Sequence, residues 1–274
     1  MDMLETSSSS WAGDVADQRL IVVGGGGVGE SERSTGRIGV IDLNSSNPRF
    51  QAAESLPVGT RYPNLVNMPD GRVFITGGSE DYRGKGDSDI LASYFFDPTA
   101  PLENSLSEAA TQSIGRDYHS AAVLLPNGQI MVTGGDPLFG DELNTQPGEF
   151  EKRIEIYSPP YLFRADGQPV VRPTITDGPE QLVRGGTFDF TVSATDPAQT
   201  TPITGARLMF PSAATHVTDT NQRSVELGVR YDTVTHTATL SIPSEATLAP
   251  PGWYMLFVND ASGAISEAKW VHVE

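Results

Sequence analysis

Short apolar runs that end in paired glycines recur through the first half of the chain. LIVV (Leu20–Val23) runs into Gly24 and Gly25, VFIT (Val73–Thr76) into Gly77 and Gly78, and IMVT (Ile130–Thr133) into Gly134 and Gly135. The leading glycines Gly24, Gly77 and Gly134 are 53 and 57 residues apart. Upstream, NMPDGRVFITGG (Asn67–Gly78) parallels LLPNGQIMVTGG (Leu124–Gly135). Each predicts a strand, a Pro-Asp-Gly or Pro-Asn-Gly hairpin turn and a second strand. A third apolar run follows each pair: RIGVIDLN from Arg37, ILASYFFDP from Ile90 and RIEIYSPP from Arg153. In the last, Ile154 and Ile156 alternate with Glu155 and Tyr157, the period of two that marks a strand. A repeat near 50 residues built of short strands and Gly-Gly doublets predicts kelch-type propeller blades. Roughly 165 residues at this spacing give about three blades, fewer than the four to eight that close a propeller. Such an arc leaves apolar sheet flanks uncovered.

The pattern changes after SPPYLFRADGQPVVRP (Ser158–Pro173). Phe188, Phe190 and Val192 alternate with polar residues, as do Val225, Leu227 and Val229, and Ala238, Leu240 and Ile242. PPGWYMLFVNDASG (Pro250–Gly263) is apolar on both faces and reads as a central, fully buried strand. Six to eight strands without a helix in about 105 residues predict an immunoglobulin-like sandwich. The expected fold is therefore all-β: residues 1–168 as a partial kelch-type propeller of about three blades, residues 169–274 as the sandwich.

Gly24, Gly26 and Gly29 also spell G-x-G-x-x-G after a strand, and Asp42 follows where a dinucleotide fold keeps its ribose acid. That site needs a helix whose N-terminus faces the pyrophosphate. ESERSTGR, the segment after Gly29, has no apolar face and leaves no room for one. The repeat accounts for these glycines better, since they let the backbone turn where a side chain would clash.

Composition narrows the classes of function. The 274 residues carry a net charge of -17, which argues against a nucleic-acid groove and against an anionic membrane surface. There is no Cys, so disulfides, thiolate metal sites and thiol nucleophiles are excluded within this chain. No run approaches the roughly 20 apolar residues of a membrane span. MDMLETSSSSWAGD has no apolar core of the signal-peptide kind and reads as a loose lead-in.

Four histidines remain as candidate ligands: His119, His216, His236 and His272. His236 and His272 lie in alternating strand patterns and read as solvent-facing. His119 follows Tyr118 in RDYHSAAVLLPNG and opens a blade's innermost strand. His216 lies in the polar segment PSAATHVTDTNQRS. No short-range metal spacing links them.

At these residues the chain resembles the galactose oxidase and glyoxal oxidase family, the copper-radical oxidases. The resemblance runs from about Leu20 to the end and is nearest the bacterial glyoxal-oxidase-like branch. It is carried by GTRYPN, GGSEDYRGKGDSDIL, GRDYHSAAVLLPNGQIMVTGGDPLF, FEKRIEIYSPPYLF, THVTDTNQRSVEL and PGWYMLFVNDASG. In that family a seven-bladed propeller holds one copper on its axis, and a loop of the sandwich delivers a histidine to it. The resemblance implies Tyr118 as the axial tyrosine and proton acceptor, His119 as one equatorial ligand and His216 as the histidine from the sandwich. Imidazoles with oxygen ligands suit Cu(II). Tyr82 and Arg83 are weaker candidates for lining a substrate pocket. Tyr62 reads as the repeat equivalent of the Tyr118-His119 region, with a structural or channel-lining role.

The chain departs from the family at its redox centre. That centre is a second tyrosine crosslinked to a cysteine, both in earlier blades, and this chain has no Cys. The resemblance thus implies the copper-binding C-terminal portion of an oxidase for a primary alcohol, an aldehyde or a carbohydrate, which passes electrons to oxygen and forms hydrogen peroxide. Alone it would be inactive, and it would need missing N-terminal blades or a partner chain. It reads as a fragment, a split half or a reduced relative. Extracellular or cell-surface placement follows the family. Two alternatives stand beside this: a non-catalytic module that binds carbohydrate or a partner chain, and a plain mononuclear copper site without a radical.

Overall fold

The computed structural model describes residues 2–3, 19–26, 34–83, 88–138, 145–193 and 201–274. Three small antiparallel sheets come first. β1 (Asp2–Met3), β2 (Arg19–Val23), β3 (Ile38–Asp42) and β4 (Gln51–Ala52) pair in chain order. β5 (Asn64–Asn67), β6 (Val73–Thr76), β7 (Ser93–Phe96) and β8 (Leu106–Ala109) repeat that arrangement. The third sheet has three strands, β9 (Ser120–Leu124), β10 (Ile130–Gly134) and β11 (Ile154–Tyr157). Among the described residues, helical structure is limited to 3-10 turns at Leu102–Asn104 and Pro160–Leu162 and the 3-10 residue Ser88.

Burial shows how the sheets stack. All four residues of β6 are buried, because the middle sheet is covered on both faces. Val73 and Ile75 pack with Ile21, Val23, Ile38 and Val40 of the first sheet. Phe74 points the other way, to Ala122, Leu124, Ile130 and Val132 of the third. In β10 burial alternates, since among the described residues only one face of the third sheet packs against a neighbouring sheet. Its other face carries two cross-strand rows, Ala121–Thr133–Ile154 and Val123–Met131–Ile156. Ile154 and Ile156 in these rows are 60% and 50% exposed.

The glycine doublets explain themselves at the sheet junctions. Gly25 N–H donates to Thr60 O at 2.7 Å, and Gly78 N–H donates to Arg116 O at 2.5 Å. Each doublet thereby joins one sheet to the entry segment of the next. A Cβ on Gly77 would stand 3.0 Å from Arg116 O, and its φ of +70° is one that L side chains avoid. Gly29 of the G-x-G-x-x-G pattern lies outside the described residues.

The second half is a two-layer sandwich. β12 (Thr174–Asp177), β13 (Gln181–Leu182), β14 (Thr187–Ser193) and β15 (Ile203–Met209) lead into a small hairpin, β16 (Ala214–Thr215) and β17 (Thr218–Asp219). β18 (Ser224–Asp232), β19 (Thr237–Ser241), β20 (Gly252–Asp260) and β21 (Lys269–Val273) complete it. β18 pairs with β15 through Ser224–Leu227 and with β19 through Gly228–Asp232, so this one strand passes from one layer to the other. Phe190, Val192, Ala238 and Leu240 of one layer meet Leu208, Val225, Leu256 and Val271 of the other in the core. His236 falls in the turn before β19 rather than in the strand.

β20 shows why its sequence is apolar throughout. Tyr254, Leu256 and Val258 face the sandwich core, whereas Met255 and Phe257 join Phe74, Ile130 and Val132 of the blade-like sheets. One strand serves two cores, and the shared core docks the halves. Ala268 N–H donates to Pro126 O at 2.8 Å across the same junction, and within the sandwich half Arg172 Nε and Nη2 donate to Ile265 O and Ser266 O, both at 2.6 Å. The all-β architecture of blade-like sheets followed by an immunoglobulin-like sandwich agrees with the sequence reading. The strands not anticipated include β1 in the segment read as a loose lead-in, β16 and β17 in the polar segment around His216, and β4 and β8, which are short and largely exposed.

Candidate metal centre

The docking brings His216 of the sandwich half to the adjacent pair Tyr118 and His119. The rings of His119 and His216 have centroids 4.8 Å apart, with the planes at 66°. Tyr118 lies 3.9 Å from His119 and 5.7 Å from His216, centroid to centroid. Tyr62 stands edge-on to Tyr118 at 5.4 Å. Arg83 places its guanidinium carbon 4.9 Å from the centroid of the Tyr118 ring. Tyr82 is half-buried beside this group. Burial raises the pKa of the Tyr62 phenol, and the neighbouring Tyr82 adds to that shift.

Four of these side chains, but not Tyr118 or Tyr82, are held by an unusual backbone. Tyr62, Arg83, His119, His216 and Val217 all have φ between +52° and +63°. His236 is the sixth and last such non-glycine residue among the described ones. Left-handed residues with a Cβ cost roughly 1 to 3 kcal/mol each, so their clustering marks a site whose geometry the surroundings enforce. Tyr62 and His119 occupy equivalent positions of the repeat, just before the innermost strand of their sheets.

His216 sits on a hairpin tip. Thr215 and Thr218 pair, which leaves His216 and Val217 as a two-residue turn. Both have positive φ, the signature of a type I′ turn, a conformation normally filled by Asn-Gly. Asp219 Oδ1 accepts the N–H groups of Ala213 and Asn221, both at 2.9 Å, and ties the hairpin base. β16 lies against β9 and β17 against β5, so the tip reaches the inner edges of two sheets.

His119 is oriented by Asp136, which lies 3.1 Å from its Nδ1 through Oδ2. Asp117, one residue before Tyr118, is 3% exposed, and its Oδ1 accepts the Asp136 N–H at 2.8 Å. Burial pushes the Asp117 carboxyl up to about 7. Thr215 Oγ1 lies 2.7 Å from His216 Nδ1. Neither Asp136 nor Asp117 was singled out from sequence. The available signal was the residue after the third Gly-Gly, which the repeat returns toward the inner edge.

These donors fit copper. A metal about 2 Å from an imidazole nitrogen is roughly 3 Å from the ring centroid, so two ligands at right angles place their centroids about 4.4 Å apart. The observed 4.8 Å is close to that. Both rings have Nδ1 engaged, which leaves Nε2 for a metal. Two imidazoles and a phenol are a donor set for Cu(II). Among the described residues no group of three or more His, Asp or Glu converges to offer a harder site.

The architecture is that of the copper-radical oxidases. A solved structure of a fungal alcohol oxidase in complex with copper matches with a TM-score of 0.78 at 26% identity, over 93% of this chain and 51% of that one. Residues 16–161 match the family model for the glyoxal oxidase N-terminus, and residues 172–273 match that for the galactose oxidase-like early set domain. The chain belongs to the glyoxal oxidase family. An aldehyde oxidase of Vitis pseudoreticulata is 30% identical over 95% of this chain and 51% of its own length. A galactose oxidase of Gibberella zeae is 30% identical over 95% and 36%, and an aldehyde oxidase of Arabidopsis thaliana is 29% identical over 85% and 38%. The chain thus spans between about a third and a half of the length of these curated relatives.

Proposed function

We propose that this chain is the copper-binding C-terminal portion of a copper-radical oxidase acting on a primary alcohol or an aldehyde. The observation that carries the reading is the meeting of His119 and His216 at 4.8 Å, from separate halves of the chain. His119 and His216 would hold the copper, together with the Tyr118 oxygen. Copper bound there would supply the one-electron couple of the reaction. Tyr118 accepts the proton of the substrate hydroxyl. Tyr82 and Arg83 border the approach of the substrate, an alcohol, aldehyde or carbohydrate. The alcohol, or the hydrate of the aldehyde, loses two electrons and two protons, one proton from the hydroxyl and one from the carbon, and dioxygen takes up both electrons and both protons to leave as hydrogen peroxide.

The family's Cys-Tyr cofactor cannot form within a chain that has no Cys, so activity needs further blades, in the same polypeptide or in a partner chain. The uncovered rows at Ile154 and Ile156 and the three-stranded third sheet support this reading. We place the division between a kelch-type propeller arc and the sandwich at residues 168 and 169, and the protein at the cell surface or outside the cell. No helix among the described residues is long and apolar enough to cross a membrane.

Copper titration followed by electron paramagnetic resonance, with His119→Ala and His216→Ala alongside, tests the proposal. One tetragonal Cu(II) signal lost in both variants is expected. Copper bound equally well by either variant would overturn the ligand assignment. The absence of Cys also favours a second reading, a non-catalytic module for carbohydrate or a partner chain. Glycan binding that survives chelation and His119→Ala would select it. A tetragonal signal without a phenoxyl radical after oxidation is the result expected of a plain mononuclear site.

A further inference from the structure

We propose that Arg83 and Asp136 form a positioning clamp, which fixes the tautomer and ring orientation of His119 and so presents its Nε2. The inference rests on the copper reading for its purpose. Its geometry stands independently of the metal.

Asp136 is itself anchored. It follows the Gly134–Gly135 doublet, and its N–H donates to Tyr118 O at 2.7 Å and to Asp117 Oδ1 at 2.8 Å. Those bonds tie its backbone to the segment that carries His119. Its carboxylate then meets two groups on Oδ2: His119 Nδ1 at 3.1 Å and Arg83 Nη2 at 2.5 Å. Arg83 also donates from Nε at 3.1 Å and from Nη2 at 3.0 Å to the Asp136 carbonyl oxygen. The guanidinium fork therefore grips the backbone and the side chain of one residue. It comes from the second sheet's loop, whereas Asp136 belongs to the third.

An ionised carboxylate only accepts hydrogen bonds. Facing Asp136, the neutral His119 ring must carry its proton on Nδ1, and the lone pair falls on Nε2. A carboxylate behind a ligating histidine both orients the ring and raises its basicity. Arg83 limits that gain by drawing on the same oxygen, and it keeps Asp136 from turning away. Stability is a poor explanation for the cluster. The side chains of Arg83, Asp136 and His119 are 21%, 32% and 38% exposed, and ion pairs so placed contribute about 1 kcal/mol or less. Arg83 holds a φ of +59° to make these contacts, which costs as much as the pair returns. What the arrangement yields is direction.

The test uses the full chain. In metal-free protein at pH 8, long-range nitrogen–proton NMR should show His119 protonated on Nδ1. Asp136→Ala and Arg83→Met should move it toward the Nε2–H form. Copper affinity should fall by about 10- to 100-fold in Asp136→Ala and about tenfold in Arg83→Met, with altered copper hyperfine splitting and little change in melting temperature. If Asp136→Ala does not fold, Asp136→Asn keeps the shape and the backbone bonds and should still weaken copper about tenfold. A wild-type tautomer, affinity within twofold and unchanged hyperfine splitting in these variants would overturn the clamp. Failure of the copper reading looks different: His119→Ala would then bind copper like the wild type, while the tautomer result still decides whether the clamp acts on the ring.

Discussion

Phe257 links the fold to the proposed metal centre without touching it. The side chain is 1% exposed and packs in the shared core with Phe74, Ile130 and Val132 of the sheets and Met209 and Met255 of the sandwich. Met209 ends β15, the strand from which the His216 hairpin departs. Phe257→Ala removes a whole ring from this interface, a change that costs about 3 to 5 kcal/mol in a packed core. Phe190→Ala is the matched control, because Phe190 is 0% exposed but lies only in the sandwich core. Both variants should lower the urea midpoint by comparable amounts. Only Phe257→Ala should loosen the seat of the hairpin. A ligand pair that is assembled in a fraction of molecules binds with an affinity reduced by that fraction. A tenfold loss requires the docked fraction to fall to one tenth, with undocking favoured by about 1.3 kcal/mol, so copper should weaken in Phe257→Ala by as much as its loss exceeds the docking free energy, and by less than twofold in Phe190→Ala. Equal copper affinity in the two variants would refute the argument that sandwich docking delivers His216.

Two further perturbations test separate parts of the structure. Val217 is a β-branched residue at φ +63°, so Val217→Gly should stabilise the chain by about 1 kcal/mol in thermal unfolding, and no gain would mean that the hairpin tip is not strained. Ile156→Lys alters the uncovered face of the third sheet, where Ile156 is 50% exposed. It should change the folding free energy by no more than about 0.5 kcal/mol and abolish any concentration-dependent association seen by sedimentation. Association that survives this substitution would place the contact elsewhere.

The parts of the molecule that were legible in the sequence are those where local pattern and global packing agree. The hairpin at Pro126–Gly128 and the alternation along β18 and β19 needed nothing more than period and turn chemistry. β4 was not legible, because Gln51 and Ala52 are exposed and have no apolar face to signal a strand. The reach of β20 into two cores was visible only as an apolar run, with no sign of what lay on either side. The site is the extreme case. Thr-His-Val-Thr at 215–218 has none of the residues that favour a two-residue hairpin turn, yet it forms one. Tyr62 and His119 adopt left-handed backbones that Tyr and His seldom take. Only the resemblance to a known family joined His119 to His216 in advance, and nothing in the pattern joined Arg83 to Asp136. Propensity fails at these positions because the residue is chosen for what its side chain reaches, and the backbone conforms at a cost of roughly 1 to 3 kcal/mol each. Misfit is informative here in a way that agreement is not. Four left-handed residues with side chains, Tyr62, Arg83, His119 and His216, drawn from two sheets and a hairpin, surround the Tyr118 ring, and the shared core of Phe257, Phe74 and Ile130 is what holds them there.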